Sequence, residues 1–145
     1  MTDRKDTMKK DVMVKIIGSE YDGLDQEQVE QVVKGSYYKK NGKDFILYDV
    51  TEGDENVHTM LKIGDEQVEI TKNSTAGRVT MMFQQGEFYK TFYPTAAGVL
   101  EMKFHTKELV KFSSDDCISM KILYDIYMNE QEIGTRKLQI QVKDI

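Results

Sequence analysis

The feature that most constrains the fold is a series of short segments in which apolar and polar residues alternate, separated by turn residues. The clearest case is residues 36–50, where two β-rich arms flank Asn41 and Gly42. An Asn-Gly pair readily adopts the two positive-φ positions of a type I′ turn, which joins the strands of a β-hairpin. Because the pattern recurs almost to the C-terminus, the sequence predicts an antiparallel all-β domain whose neighbouring strands pair in chain order.

The alternation predicts ten strands, and their number favours closure of the sheet. They cover residues 11–19, 28–40, 43–51, 56–64, 67–72, 78–84, 87–93, 99–112, 116–128 and 134–143. A sheet of this size curls and closes, because closure removes exposed edges. The short connections favour a meander. We therefore expect a disordered lead at residues 1–9 and one antiparallel meander β-barrel of about eight to ten strands at residues 10–145.

One segment is also compatible with a short helical turn, near residues 25–32. Asp25 could cap such a turn, and Gln28 could complete a capping box with it. Val29, Val32 and Val33 also fit helical spacing. The alternative is that the second strand already begins at residue 28.

Charge and cysteine content exclude several classes of function. The formal net charge of −5 argues against a nucleic-acid partner, because phosphate binding depends on clustered Lys and Arg. Cys117 is the single cysteine, so the chain can form neither an internal disulfide nor a multi-thiolate zinc site. Neither a signal-peptide apolar region nor a membrane-spanning apolar run is recognisable, so we expect a cytoplasmic protein without a membrane partner.

Catalytic and metal-binding patterns are also missing from the sequence. The acidic neighbours Asp115 and Asp116 disfavour a reactive thiolate at Cys117. His58 and His105 belong to no metal-ligand motif. Since no nucleophile–base pair is recognisable, we expect a protein that is not an enzyme and that uses no cofactor and no metal.

The interior of the predicted barrel is the leading candidate site. A closed sheet of about eight strands is either filled by side chains or able to hold one small ligand. The nine methionines of the chain suit an adaptable apolar surface. We therefore expect a small apolar or amphipathic ligand in the lumen. The predicted lumen residues are Tyr48, Met81, Phe83, Met102, Phe104, Thr106, Met120 and Tyr124.

The alternative function is a protein-interaction module or homodimer with a dry, side-chain-filled core. Both faces of the strand at 87–93 carry aromatic rings, so its inward face is unclear from sequence. One set of rings must be partly exposed, and Tyr89 and Tyr93 are the predicted interaction surface.

Seven short motifs resemble the YwiB family of small bacterial proteins, whose domain has no known function. They occur in the family's order across nearly the whole domain. They are Gly-Ser-Tyr-Tyr at 35–38, Phe-Ile-Leu-Tyr-Asp at 45–49, Val-Glu-Ile-Thr-Lys at 68–72, Val-Thr-Met-Met-Phe at 79–83, Phe-Tyr-Pro-Thr-Ala-Ala-Gly at 92–98, Glu-Met-Lys-Phe-His-Thr at 101–106 and Ile-Leu-Tyr-Asp at 122–125. The chain departs from the family pattern at Asp49, often Glu, and at Lys72, often Arg or another basic residue.

The resemblance implies a lipocalin-like (calycin) β-barrel. It implies no established activity, substrate or catalytic residue. The chain has no tryptophan and therefore lacks the Gly-x-Trp signature of true lipocalins, so a secreted carrier function does not transfer with the fold.

Overall fold

A computed structural model describes residues 7–20 and 28–145. These residues form ten strands and contain no helix. The strands are β1 (Thr7–Glu20), β2 (Gln28–Lys40), β3 (Lys43–Glu52), β4 (Glu55–Ile63), β5 (Gln67–Ser74), β6 (Gly77–Gln84), β7 (Phe88–Thr95), β8 (Gly98–Ser113), β9 (Cys117–Met128) and β10 (Gln131–Asp144). In this part of the chain, no helix is long and apolar enough to cross a lipid bilayer.

The strands form one antiparallel meander that is nearly closed. The order in the sheet is β6-β5-β4-β3-β2-β1-β10-β9-β8-β7, so β1 pairs with β10 and the hydrogen-bonded ladder is interrupted between β6 and β7. The β6–β7 turn is tied to β8 instead. The Gly86 amide donates to the Thr106 carbonyl at 2.7 Å, and the Thr106 amide donates to the Glu87 carbonyl at 3.0 Å. The predicted all-β meander barrel is confirmed, with ten strands.

The Asn-Gly hairpin has the predicted turn geometry. Asn41 has a φ of 54° and Gly42 a φ of 77°, as a type I′ turn requires at its two central positions. Lys40 and Lys43 form the pair that closes the hairpin between β2 and β3. This local signal therefore sets the register of both strands.

The core fills one half of the barrel and extends along the walls of the other, and inward side chains from nearly all strands contribute to it. Strand alternation directs every second residue of each strand to this interior. The most deeply buried apolar residues include Val12, Val14, Ile46, Leu61, Ile63, Val68, Phe83, Ile122 and Ile140. At this end Lys111 reaches across from β8, and its ammonium group donates to the Gly64 carbonyl in the β4–β5 turn at 2.6 Å.

A β-bulge in β8 changes which residues face inward. The register against β9 shifts between Thr106 and Glu108, which leaves Lys107 as the extra residue. Before the bulge Phe104 and Thr106 are buried, whereas after it Leu109 packs against the core. The even-numbered Val110 and Phe112 are consequently exposed, although unbroken alternation would have buried them.

Two sequence predictions near the N-terminus need correction. β1 begins at Thr7, so residues 7–9 belong to a strand and not to a lead, while residues 1–6 lie outside the described residues. The predicted helical turn is wrong from residue 28 onward, because β2 pairs there with β1, with Val29 opposite Gly18 and Val33 opposite Val14. The β-branched valines favour this pairing over helix. Residues 25–27 lie outside the described residues.

Candidate functional site

The half of the barrel away from Lys111 holds a cavity of about 480 Å³. It lies toward the end of the barrel where β1, β3, β5, β7 and β9 finish. Its lining comes from β1, β3 and β5 to β10: Ile16, Gly18, Tyr48, Ile70, Lys72, Met81, Phe83, Tyr93, Thr95, Leu100, Met102, Phe104, Tyr124, Ile126, Met128, Arg136, Lys137, Leu138 and Ile140. Because Thr95 and Arg136 are exposed, the cavity opens to solvent at this end.

Six of the eight predicted lumen residues line this cavity. They are Tyr48, Met81, Phe83, Met102, Phe104 and Tyr124. Thr106 and Met120 are inward-facing and buried, but they lie outside the cavity lining and belong to the packed half. The prediction chose the correct face of each strand, but alternation alone does not tell how deep in the barrel a residue lies.

Three aromatic rings form the floor of the cavity. The ring centroid of Phe83 lies 4.8 Å from that of Tyr124 and 5.9 Å from that of Phe104, and the Phe104 and Tyr124 rings meet edge-on at 5.7 Å. Tilted and edge-to-face contacts of this kind stabilise aromatic clusters beyond simple burial. The rings therefore make a rigid base between the cavity and the packed half.

Two tyrosine hydroxyls are polar groups within this apolar surface. Burial raises the pKa of Tyr48, with a smaller contribution from the Glu52 carboxylate. Burial also raises the pKa of Tyr124, opposed by the positive charge of Arg136. Both phenols are therefore protonated at neutral pH and can donate a hydrogen bond. Neither hydroxyl bonds to another residue within the described parts of the chain. A protonated phenol can donate to a ligand or to water.

Among the residues that the structure describes, the charged ones that line the cavity are cations: Lys72, Arg136 and Lys137. Lys72 is partly neutralised, because its ammonium nitrogen lies 3.1 Å from a carboxylate oxygen of Glu52. Arg136 lies beside Tyr124 in the β9–β10 register and opposite Glu20 on β1. Among the described residues, Arg136 forms no ion pair with any carboxylate.

The two tyrosines predicted as an interaction surface point inward instead. Tyr93 lines the cavity, and Tyr89 packs against the core on the same face as the buried Thr91. The exposed rings of β7 are Phe88 at 56% and Phe92 at 59%. Since rings occupy both faces of this strand, only its pairing with β8 decides which set is buried.

An outer aromatic patch, consisting of Phe88, Lys103, His105 and Tyr127, was not predicted from the sequence. The Phe88 ring stacks on His105 with centroids 4.2 Å apart, and the Lys103 ammonium lies 5.4 Å and 5.0 Å from the Phe88 and Tyr127 ring centroids. Beneath it, His105 Nδ1 lies 3.6 Å from Asp125, which also accepts a hydrogen bond from the Thr135 hydroxyl at 2.6 Å. The patch joins residues of three strands, so no local motif marks it.

Other polar clusters give no metal site. Within residues 7–20 and 28–145, no group of three or more His, Cys, Asp or Glu residues is arranged to hold a metal ion. Cys117 is partly buried beside a second cavity of about 390 Å³ at the opposite end of the barrel. There Lys10 pairs with Asp144 at 2.9 Å, and the Tyr37 hydroxyl donates to Asp44 at 2.5 Å.

Comparison with known proteins agrees with this architecture. The chain is 26% identical over 111 residues to the uncharacterized beta-barrel protein YwiB of Bacillus subtilis (strain 168). The aligned residues make up 77% of this chain and 78% of that protein. The crystal structure of the ywiB protein from Bacillus subtilis superposes with a TM-score of 0.81, at 20% identity, over 97% of this chain and 96% of that one. At this level of identity the superposition shows the fold alone.

A family model matches residues 14–140, which span all ten strands. The resemblance to the YwiB family is therefore confirmed. The chain belongs to the family described as "Domain of unknown function (DUF1934)".

Proposed function

We propose that this protein binds a small apolar or amphipathic molecule in the lumen of its barrel. The observation that carries the proposal is the cavity of about 480 Å³, which has apolar walls, a mouth open to solvent and two tyrosine donors. Ligand pockets are concave, mostly apolar sites of roughly 300–1,000 Å³ with few polar groups. The cavity has both the size and the composition of such sites.

The walls of the cavity can supply the binding free energy. Transferring one methylene group from water to an apolar environment contributes about 0.8 kcal/mol, so about ten methylenes contribute about 8 kcal/mol before the cost of ordering the ligand. Met81, Met102 and Met128 belong to the lining, and their flexible side chains can adapt to the shape of a ligand. The rigid floor of three rings limits how deeply the ligand enters.

The alternative with a completely filled core fits the geometry less well, because one half of the interior is packed and the other is not. A contact between protein surfaces remains a second candidate, and Phe88 and Phe92 are its natural centre. They are exposed on β7, an edge strand without a ladder partner on its β6 side. Absence of catalysis and a cytoplasmic location remain predictions from the sequence.

Native mass spectrometry of protein purified gently from its cells tests the lumen proposal. We expect an added mass of a few hundred daltons that is lost on denaturation. The Met102→Trp variant should retain less of this mass, because the larger indole takes up part of the cavity and crowds the ligand. The matched control Met13→Trp, on the outer face of β1 and exposed, should keep it.

Equal ligand retention by both variants would overturn the lumen proposal. So would an apo mass for the natural protein together with failure of added apolar probes to bind it. The same spectra report a dimer directly. A dimer without any ligand would favour the contact through Phe88 and Phe92.

A further inference from the structure

The charge of the cavity lining differs from that of the whole molecule. The chain has 25 acidic and 20 basic residues, whereas the described part of the cavity lining contains three cations and no carboxylate. A lining drawn evenly from the chain would contain acids as well. The walls below the mouth are apolar, so the cations are confined to the open end of the cavity.

Arg136 is the best-placed of these cations. The alternation of β10 puts it on the same face as Leu138 and Ile140, which both line the cavity. Glu20 is its cross-strand neighbour on β1, yet the two form no ion pair. Within the described residues, the Arg136 guanidinium is therefore not neutralised by a salt bridge. Lys72, by contrast, is paired with Glu52.

We infer that the lumen ligand is an amphiphile with an anionic head group, held by Arg136 at the mouth, and with an apolar chain on the lumen walls. This inference rests on the proposed lumen function and specifies its ligand class. A guanidinium binds carboxylate and phosphate oxygens through paired, charge-assisted hydrogen bonds. The protonated hydroxyl of Tyr124, next to Arg136 in the register, is a further donor for the same head group.

The position of Arg136 also explains why an apolar cavity would carry such a cation. A charged side chain at the rim keeps its hydration while its ligand's apolar chain is buried, so the site avoids the cost of desolvating an isolated charge. A neutral amphiphile would gain the same burial of methylenes but would leave the guanidinium without a partner. Selectivity for an anion is then the difference in binding free energy between ligands that have the same chain length and differ only in the head group.

Three probes with the same chain test the inference by isothermal titration calorimetry below their critical micelle concentrations. They are dodecanoate, 1-dodecanol and dodecyltrimethylammonium. We expect dodecanoate to bind about tenfold more tightly than dodecanol, and the cationic probe to bind most weakly. The Arg136→Gln variant should lose about tenfold in dodecanoate affinity and keep its dodecanol affinity.

Arg78→Gln is the matched control, because Arg78 is exposed on β6 and does not line the cavity. It should bind all three probes as the natural protein does. A Lys72→Gln variant should have a smaller effect than Arg136→Gln, since Glu52 already offsets the Lys72 charge. Thermal unfolding of each variant checks that the fold is unchanged.

The outcomes separate the two proposals. Equal binding of dodecanoate and dodecanol, insensitive to Arg136→Gln but weakened by Met102→Trp, would overturn the anionic head group and leave the lumen proposal standing. Failure of all three probes to bind, or binding insensitive to Met102→Trp, would overturn both proposals. An equal loss of dodecanoate affinity in Arg78→Gln and Arg136→Gln would also overturn the assignment to Arg136, since only overall charge would then matter.

Discussion

At the scale of single residues, the absence of a side chain at Gly35 lets β2 pack closely against its neighbours. A Cβ atom at this position would lie 2.8 Å from the Leu47 carbonyl oxygen, 3.1 Å from a Val14 methyl carbon and 3.3 Å from the Tyr48 Cβ. Gly35 is buried and is directly opposite Tyr48 in the β2–β3 register. Gly35 therefore packs directly against the strand that carries Tyr48, whose side chain lines the cavity.

We predict that Gly35→Ala lowers the free energy of unfolding by about 1–3 kcal/mol, because the backbone contact cannot relax without moving β3. The matched control is Gly18→Ala, also in a strand, where an added Cβ would meet nothing within 4 Å. That variant should be unchanged or more stable by up to about 1 kcal/mol, since alanine restricts the unfolded chain. Urea unfolding measures both, and equal stability of the two variants would contradict this explanation.

At the scale of the elements, the bulge in β8 decides what the longest strand presents to the core. Alternation before the bulge buries Phe104 and Thr106, and the extra residue Lys107 transfers the inward position to Leu109. After the bulge, Phe112 lies on the outer face of the strand and is 73% exposed. A bulge has no reliable signal in a single sequence, because the position of its extra residue depends on how the strand pairs with its neighbour.

The adjacent residues Leu109 and Val110 provide a direct test of this change in which residues of β8 face inward. We predict that Leu109→Asn lowers the free energy of unfolding by about 2 kcal/mol or more, because it places an amide against the core. Val110→Asn should change it by no more than about 0.5 kcal/mol, since Val110 is half-exposed. Denaturant unfolding of the two variants decides the matter. The reverse order of stabilities would mean that β8 keeps its alternation past Thr106.

At the scale of the whole molecule, the barrel combines a packed half with a half that holds the cavity. Two buried tyrosines of the cavity, Tyr48 and Tyr124, make the free energy of unfolding depend on pH. Burial raises the pKa of both above the ordinary value of about 10. Above that pH the unfolded chain has lost these protons while the folded chain retains them, so the unfolded state is favoured as pH rises.

We predict a free energy of unfolding that is independent of these two groups below about pH 10 and falls above it, by up to about 1.4 kcal/mol per pH unit for each tyrosine. Urea unfolding between about pH 8 and 11 measures this, with Tyr48→Phe as the comparison. In this variant the free energy of unfolding should fall less steeply with pH, by the contribution of one tyrosine, because phenylalanine has no proton to release. An unchanged slope in Tyr48→Phe would contradict the assignment to Tyr48.

Prediction from sequence worked best where the physical cause is local. The ten strands are found close to their predicted bounds, because alternation of side chains and turn residues such as Asn41 and Gly42 act within a few residues. The same alternation identified Tyr48, Met81 and Met102 as inward-facing. The helical alternative at 28–32 was wrong because pairing with β1 outweighs short-range helical spacing.

By itself, the sequence determined the class of fold, the strand order and the inward face of most strands, because each follows from contacts between near neighbours. Only the tertiary structure decided where the barrel stays unclosed, which face of β7 is buried, where β8 changes phase and how deep each inward residue lies. These features depend on residues far apart in the chain, such as Arg136, Tyr48 and Lys72, meeting around one lumen. The cations at the mouth are therefore brought together by the barrel and by no segment alone.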